Sequence, residues 1–159
     1  KPELLEKHDL LSDRHRVIEL NALSDKGSYS LAALVKTLDK SKGVAIITEG
    51  LMNYLNPEEA RGVWRRIARE GKKFSHGTYL ADAYLLKGNR SLPSIIMGTV
   101  LSVFVRGRMF VHFETLGHGI ETMHVAGFKQ AKLHAPRDWF NKKSEKSSTN
   151  RVLLLEATT

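Results

Sequence analysis

Three polar residues stand where strand-like runs end: Asn21 after HRVIEL, Glu49 after GVAIIT, and Asp82 near the end of KFSHGTYL. In open α/β sheets, ligands bind beyond the carboxyl ends of the strands. An amide and a carboxylate placed there can accept hydrogen bonds from a ligand's exocyclic amine or ammonium group. Asp82 is the weaker of the three candidates. Each such residue taken alone is also an ordinary turn former or helix cap. Tyr54 lies a few residues past Glu49, where it either lines a cleft or packs as an aromatic at the head of the next helix.

Other chemistry finds less support. The seven histidines (8, 15, 76, 112, 118, 124 and 134) show no HExxH arrangement and no carboxylate cluster at ligand spacing, so no metal site is expected. Ser75, in Phe-Ser-His-Gly, has no nucleophile elbow around it. Gly117-His118-Gly119 follows no strand and lacks a third glycine, which makes it a turn or a helix interruption.

The elements that would position these residues alternate. Pro2–Leu11 suits a short helix and His15–Leu20 a strand. Ser28–Leu38 carries Leu31, Leu34, Val35 and Leu38 at helical spacing. Gly43–Thr48 is apolar on both faces, as a central strand of a parallel sheet must be when helices cover both sides. Asn56, Pro57 and Glu59 form a helix start with a capping box. The helix then buries Ala60, Val63, Trp64, Ile67 and Ala68 and ends at Gly71. Lys73–Leu80 reads as the next strand. This order predicts a parallel α/β sheet. His112–Ala126 reads as a helix stopped by Gly127. Phe128–Leu133 and Val152–Glu156, with no helical pattern between them, predict an antiparallel pair at one sheet edge. No repeat or second domain is visible, so residues 1–159 are read as one domain, with 83–126 as a helical lid or insertion.

Composition narrows the partners. With no cysteine there is neither a disulfide framework nor a thiolate zinc site, and a reducing, cytoplasmic setting is expected. Leu92–Val105 is too short to span a bilayer and reads as a buried or lid helix, so no membrane partner is expected. The formal charge of +8 is dispersed. Its densest stretch, Lys142, Lys143 and Lys146 near Arg137 and Arg151, reads as a solvated loop without the interleaved aromatics of a nucleic-acid surface. The chain begins with Lys1 and no signal sequence follows it, which suggests a fragment.

The run Thr48-Glu49-Gly50-Leu51-Met52-Asn53-Tyr54-Leu55-Asn56-Pro57-Glu58-Glu59 resembles the strand-to-helix signature of the leucine carboxyl methyltransferase family, which includes polyketide-type O-methyltransferases. Pro2 with Lys7 and His8, then Val17–Asn21, Glu49–Leu55, Gly127–Phe128 and Val152–Ala157 follow the family's order. The resemblance implies the C-terminal portion of a Rossmann-like class I S-adenosylmethionine-dependent methyltransferase, with the first strand and the glycine-rich loop on a missing N-terminal segment. It implies S-adenosylmethionine as cofactor, with Asn21 and Ala22 near the adenine, Glu49 and Gly50 near the methionine end, and Tyr54 against the acceptor. It also implies methylation of an oxygen on a small molecule. A protein C-terminal carboxyl methyltransferase and a non-catalytic basic binding module are the alternatives.

Overall fold

A computed structural model describes residues 7, 12, 15–86, 109–135 and 152–159. The expected helices at Pro2–Leu11 and Leu92–Val105, and the basic loop around Lys142, fall wholly or mostly outside them. The chain divides into two compact units, Lys1–Thr37 and Leu38–Thr159.

In the first unit, α1 (Leu31–Lys36) starts on Ser30, whose hydroxyl accepts the Ala33 N–H at 3.2 Å and donates to the Gly27 carbonyl at 2.8 Å. The helix ends at Thr37, earlier than its apolar spacing suggests. His15–Leu20 departs from expectation: it forms no strand. Its alternation is weak, Ile18 and Leu20 are exposed, and beyond the isolated Ser12–His15 bridge no strand pairs with it among the described residues.

The second unit is built on a sheet of β1 (Gly43–Thr48), β2 (His76–Ala83), β3 (Gln130–His134) and β4 (Leu153–Thr158), in the order β1-β2-β4-β3. β1 and β2 are parallel, and β4 runs antiparallel to both β2 and β3. The expected antiparallel pair is present, with the last strand inserted beside β2 and β3 taking the edge.

Between β1 and β2 runs α2 (Pro57–Gly71). Its capping box is complete: the Asn56 carbonyl oxygen accepts from Glu58 and Glu59 N–H at 2.9 and 3.0 Å, and Glu59 accepts from Asn56 N–H at 2.9 Å. The five expected core residues of this helix are all buried. α3 (Leu116–Ala126) begins on Thr115 and ends on Gly127 in the left-handed region at φ 109°, which glycine reaches without steric penalty.

Both helices pack on one face of the sheet, against Tyr79, Ala81, Ala83, Leu153, Leu155 and Ala157. The small residues at 81, 83 and 157 leave room for large rings. Trp64 stacks on Phe113 at 5.4 Å and Tyr79 on Phe128 at 5.7 Å. The opposite face is more open. Gly43–Thr48 is not covered on both sides: it forms an end of the sheet among the described residues, and Ile47 stands 67% exposed.

Two features fix where α2 hands over to β2. Gly77 has no side chain because a Cβ there would sit 2.8 Å from the Gly71 carbonyl oxygen. Gly77→Ala must push the helix end away, and a loss of about 1–3 kcal/mol is expected in urea unfolding. Glu70 is 1% exposed and bound by Arg69 and Lys73. Burial raises its pKa, but the hydrogen bonds from Lys73 and Arg69 prevail and hold it below the ordinary glutamate value of 4.5. A lowered folded-state pKa gives stability that is present above the ordinary value and lost as pH falls through the lowered one. Acid titration of unfolding free energy should therefore fall more steeply below about pH 4.5 in the wild type than in Glu70→Gln.

Candidate functional site

Beyond the carboxyl ends of β1 and β2 the chain makes a short braced loop. After Thr48, Glu49 is exposed, Gly50 turns the backbone at φ 63°, and a 3-10 turn (Met52–Tyr54) leads to the Asn56 cap. The positive φ at Gly50 is what favours glycine, since open space surrounds the site where its Cβ would be. The Gly50 N–H donates to Asp82 Oδ1 at 2.9 Å, tying the ends of the two parallel strands together. One step below, Thr48 Oγ1 and the Tyr79 hydroxyl share a hydrogen bond of 2.8 Å. Burial pushes the Tyr79 phenol up to about 12, so it stays protonated.

The segment 109–113 clamps this loop from the other side. Phe110 N–H donates to the Asn53 carbonyl at 2.8 Å, and His112 Nε2 donates to the Met52 carbonyl at 2.8 Å. That bond fixes the imidazole with its proton on Nε2 when neutral. The ring also meets Trp64 edge to face at 5.4 Å. Leu85 and Phe113 form a parallel bridge just past β2.

The structure thus brings Glu49, Gly50 and Tyr54 together on one loop, and adds two residues that spacing alone underrates. Asp82 braces Gly50. Tyr84 has its pKa raised first by burial and then by the Asp82 carboxylate and the Tyr54 phenol, which places the three groups near one another. Tyr84 gave no separate signal, being one aromatic after a strand. Among the described residues Glu49 has no hydrogen-bond or ion-pair partner, and the Tyr54 ring is 49% exposed. Both are open to a ligand.

Asn21 and Ala22 lie in the first unit. With no strand before it, Asn21 is not a strand-end residue. Its Oδ1 accepts the Leu23 N–H at 3.0 Å, and its backbone pairs with Tyr29 and Ser24, which makes it a turn former. No group of three histidine, aspartate or glutamate residues able to hold a metal occurs among the described residues. No helix among them is long and apolar enough to cross a membrane.

Parallel β1 and β2 joined by a packed helix, with an antiparallel last strand beside them, form part of the Rossmann-like class I methyltransferase sheet, and the chain has that fold. It is similar to an O-methyltransferase family protein from Burkholderia thailandensis, with 16% identity, a TM-score of 0.56, and 98% of this chain covered against 39% of that one. It is also similar to the S-adenosylmethionine-dependent methyltransferase SibL in its apo form (12% identity, TM-score 0.56, 99% and 39% covered). A third such structure is the mitomycin 7-O-methyltransferase MmcR (14%, 0.53, 98% and 37%). The chain therefore spans about two-fifths of the length of these structures. No protein-family model and no curated protein matches it.

The Gly50–Asp82 bond is the local test of the loop. Asp82→Ala leaves the Gly50 N–H without its acceptor and should lower stability by about 1–3 kcal/mol. Asp82→Asn keeps a side-chain oxygen and should lose less. Chemical denaturation of both variants measures this, and equal losses would mean that the carboxyl oxygen does not hold the turn.

Proposed function

We propose that this chain supplies the second half of the sheet of an S-adenosylmethionine-dependent O-methyltransferase that acts on a small molecule. The observation that carries the reading is Glu49: an exposed carboxylate, unpartnered among the described residues, at the end of a parallel strand, on a loop that Gly50 and Asp82 hold in place. A carboxylate so placed fits an ammonium group, and S-adenosylmethionine carries one at its methionine end. In this reading Glu49 accepts that group's hydrogen bonds, and Gly50 keeps the backbone clear for close approach. Asn21 and Ala22 are assigned to the adenine end, an assignment that rests on the family resemblance.

When bound, the cofactor would supply an activated methyl group on a sulfonium with an excellent leaving group. What remains for the protein is alignment. Tyr54 and Tyr84 would form an apolar wall that orients the acceptor oxygen and limits water. Orientation of this kind can remove about 7–11 kcal/mol of a barrier. A carboxylate acceptor needs no base, so the same loop would also serve a protein C-terminal carboxyl methyltransferase. The leucine carboxyl methyltransferase assignment rests on the Thr48–Glu59 segment, and a cytoplasmic location on the absence of cysteine.

Titration calorimetry with S-adenosylhomocysteine tests the cofactor half. In the complete protein, Glu49→Ala and Asn21→Ala should each weaken binding about tenfold or more, by loss of hydrogen bonds to the ligand. Glu49 is exposed, so its melting temperature should hold. Unchanged affinity in Glu49→Ala would remove the basis of the proposal. Methyl incorporation into small phenols and hydroxy acids, compared with a peptide ending in a free carboxylate, then separates the two acceptor classes.

A further inference from the structure

The outer side of the helical layer carries a groove that the cofactor reading does not use. α2 connects the end of β1 to the start of β2, and α3 descends from beside Leu85–Phe113 to the start of β3. The two helices therefore run in the same direction, with a cleft of about 420 Å³ between them. That volume falls in the range of about 300–1,000 Å³ common for small-molecule sites. Neither Glu49, Gly50 nor Tyr54 lines it.

Its walls are chemically distinct. Arg61 and Arg65 project from α2, four residues apart and so on one side of the helix. Neither has a hydrogen-bond or ion-pair partner among the described residues. Two like charges at this spacing repel each other and weaken the helix, an effect that a bound anion reverses. Guanidinium groups suit carboxylate and phosphate oxygens, since each can offer two parallel N–H donors. The other wall, from α3, offers Glu121, Thr122 and Val125. Val125 is 67% exposed although it is β-branched and apolar, and Trp64 forms part of the floor. The Glu121 carboxylate also lacks a partner among the described residues, so it is not engaged with the arginines across the groove.

We propose that this groove binds a small amphipathic anion. Its carboxylate or phosphate sits on Arg61 and Arg65, and its apolar body lies over Val125 toward Trp64. Glu121 marks the end where no second negative charge is accepted. The inference does not depend on the cofactor reading.

Nuclear magnetic resonance titration of the full chain with 2-naphthoate tests it, with neutral 2-naphthamide as the control. Saturable shifts at the α2 and α3 amides are expected for the naphthoate, and affinity for the amide should be about tenfold lower or less. Arg61→Ala/Arg65→Ala, both on an exposed helix face, should weaken naphthoate by about tenfold or more without moving the melting temperature. Glu121→Gln should leave or tighten naphthoate binding. Equal binding of acid and amide, an unchanged affinity in the double arginine variant, or no saturable shift would each overturn the proposal. Weaker naphthoate binding in Glu121→Gln would overturn the placing of the anion on α2.

Discussion

The parallel pairing of β1 with β2 depends on α2 crossing one face of the sheet with its apolar stripe inward. Parallel neighbours cannot be joined by a tight turn, so a crossover is required, and here it is a capped helix of 15 residues. Trp64 is the largest side chain of that stripe, and it reaches down between Ala81, Ala83 and Phe113. Were the helix not seated, the two strand ends would separate and Asp82 would lose its hold on Gly50. The loop bearing Glu49 is held in place by the Asp82–Gly50 bond only because the helix below it is packed.

Much of this was legible in the sequence, for identifiable reasons. The start of α2 is written in Asn56-Pro57-Glu58-Glu59 because capping is a local interaction, and the stop of α3 is written in Gly127 for the same reason. The buried stripe of α2 follows from its period. Where pairing is non-local, local pattern fails. HRVIEL has strand-like composition, but a strand exists only when a neighbour completes its ladder, and none is present among the described residues. Asn21 loses its strand-end status with it. GVAIIT has the composition of a strand covered on both faces, yet composition does not say which neighbours are there to cover it.

The site was legible in part. Glu49, Gly50 and Tyr54 share one loop and so share one local motif. The roles of Asp82, Tyr84 and His112 arise from contacts across about 30 to 60 residues of chain, which no spacing rule connects. The aromatic packing of Trp64 against Phe113 and His112 is of the same kind: each residue reads as core or surface by itself, and only the fold makes them a unit.

The bridge between Leu85 and Phe113 has a further consequence. The chain leaves β2 at Leu85 and comes back to the same place at Phe113, where the Leu86 N–H bonds to the Phe113 carbonyl at 2.9 Å. Whatever lies between is an excursion whose two ends are already joined. Closing such an excursion becomes harder only with the logarithm of its length, by about 0.6 kcal/mol for each doubling. The length of the chain between 87 and 108 can therefore change at little cost to the sheet and the Glu49 loop. The part that must stay constant includes residues 109–113, because Phe110 and His112 hold the Asn53 and Met52 carbonyls at the far side of that closure.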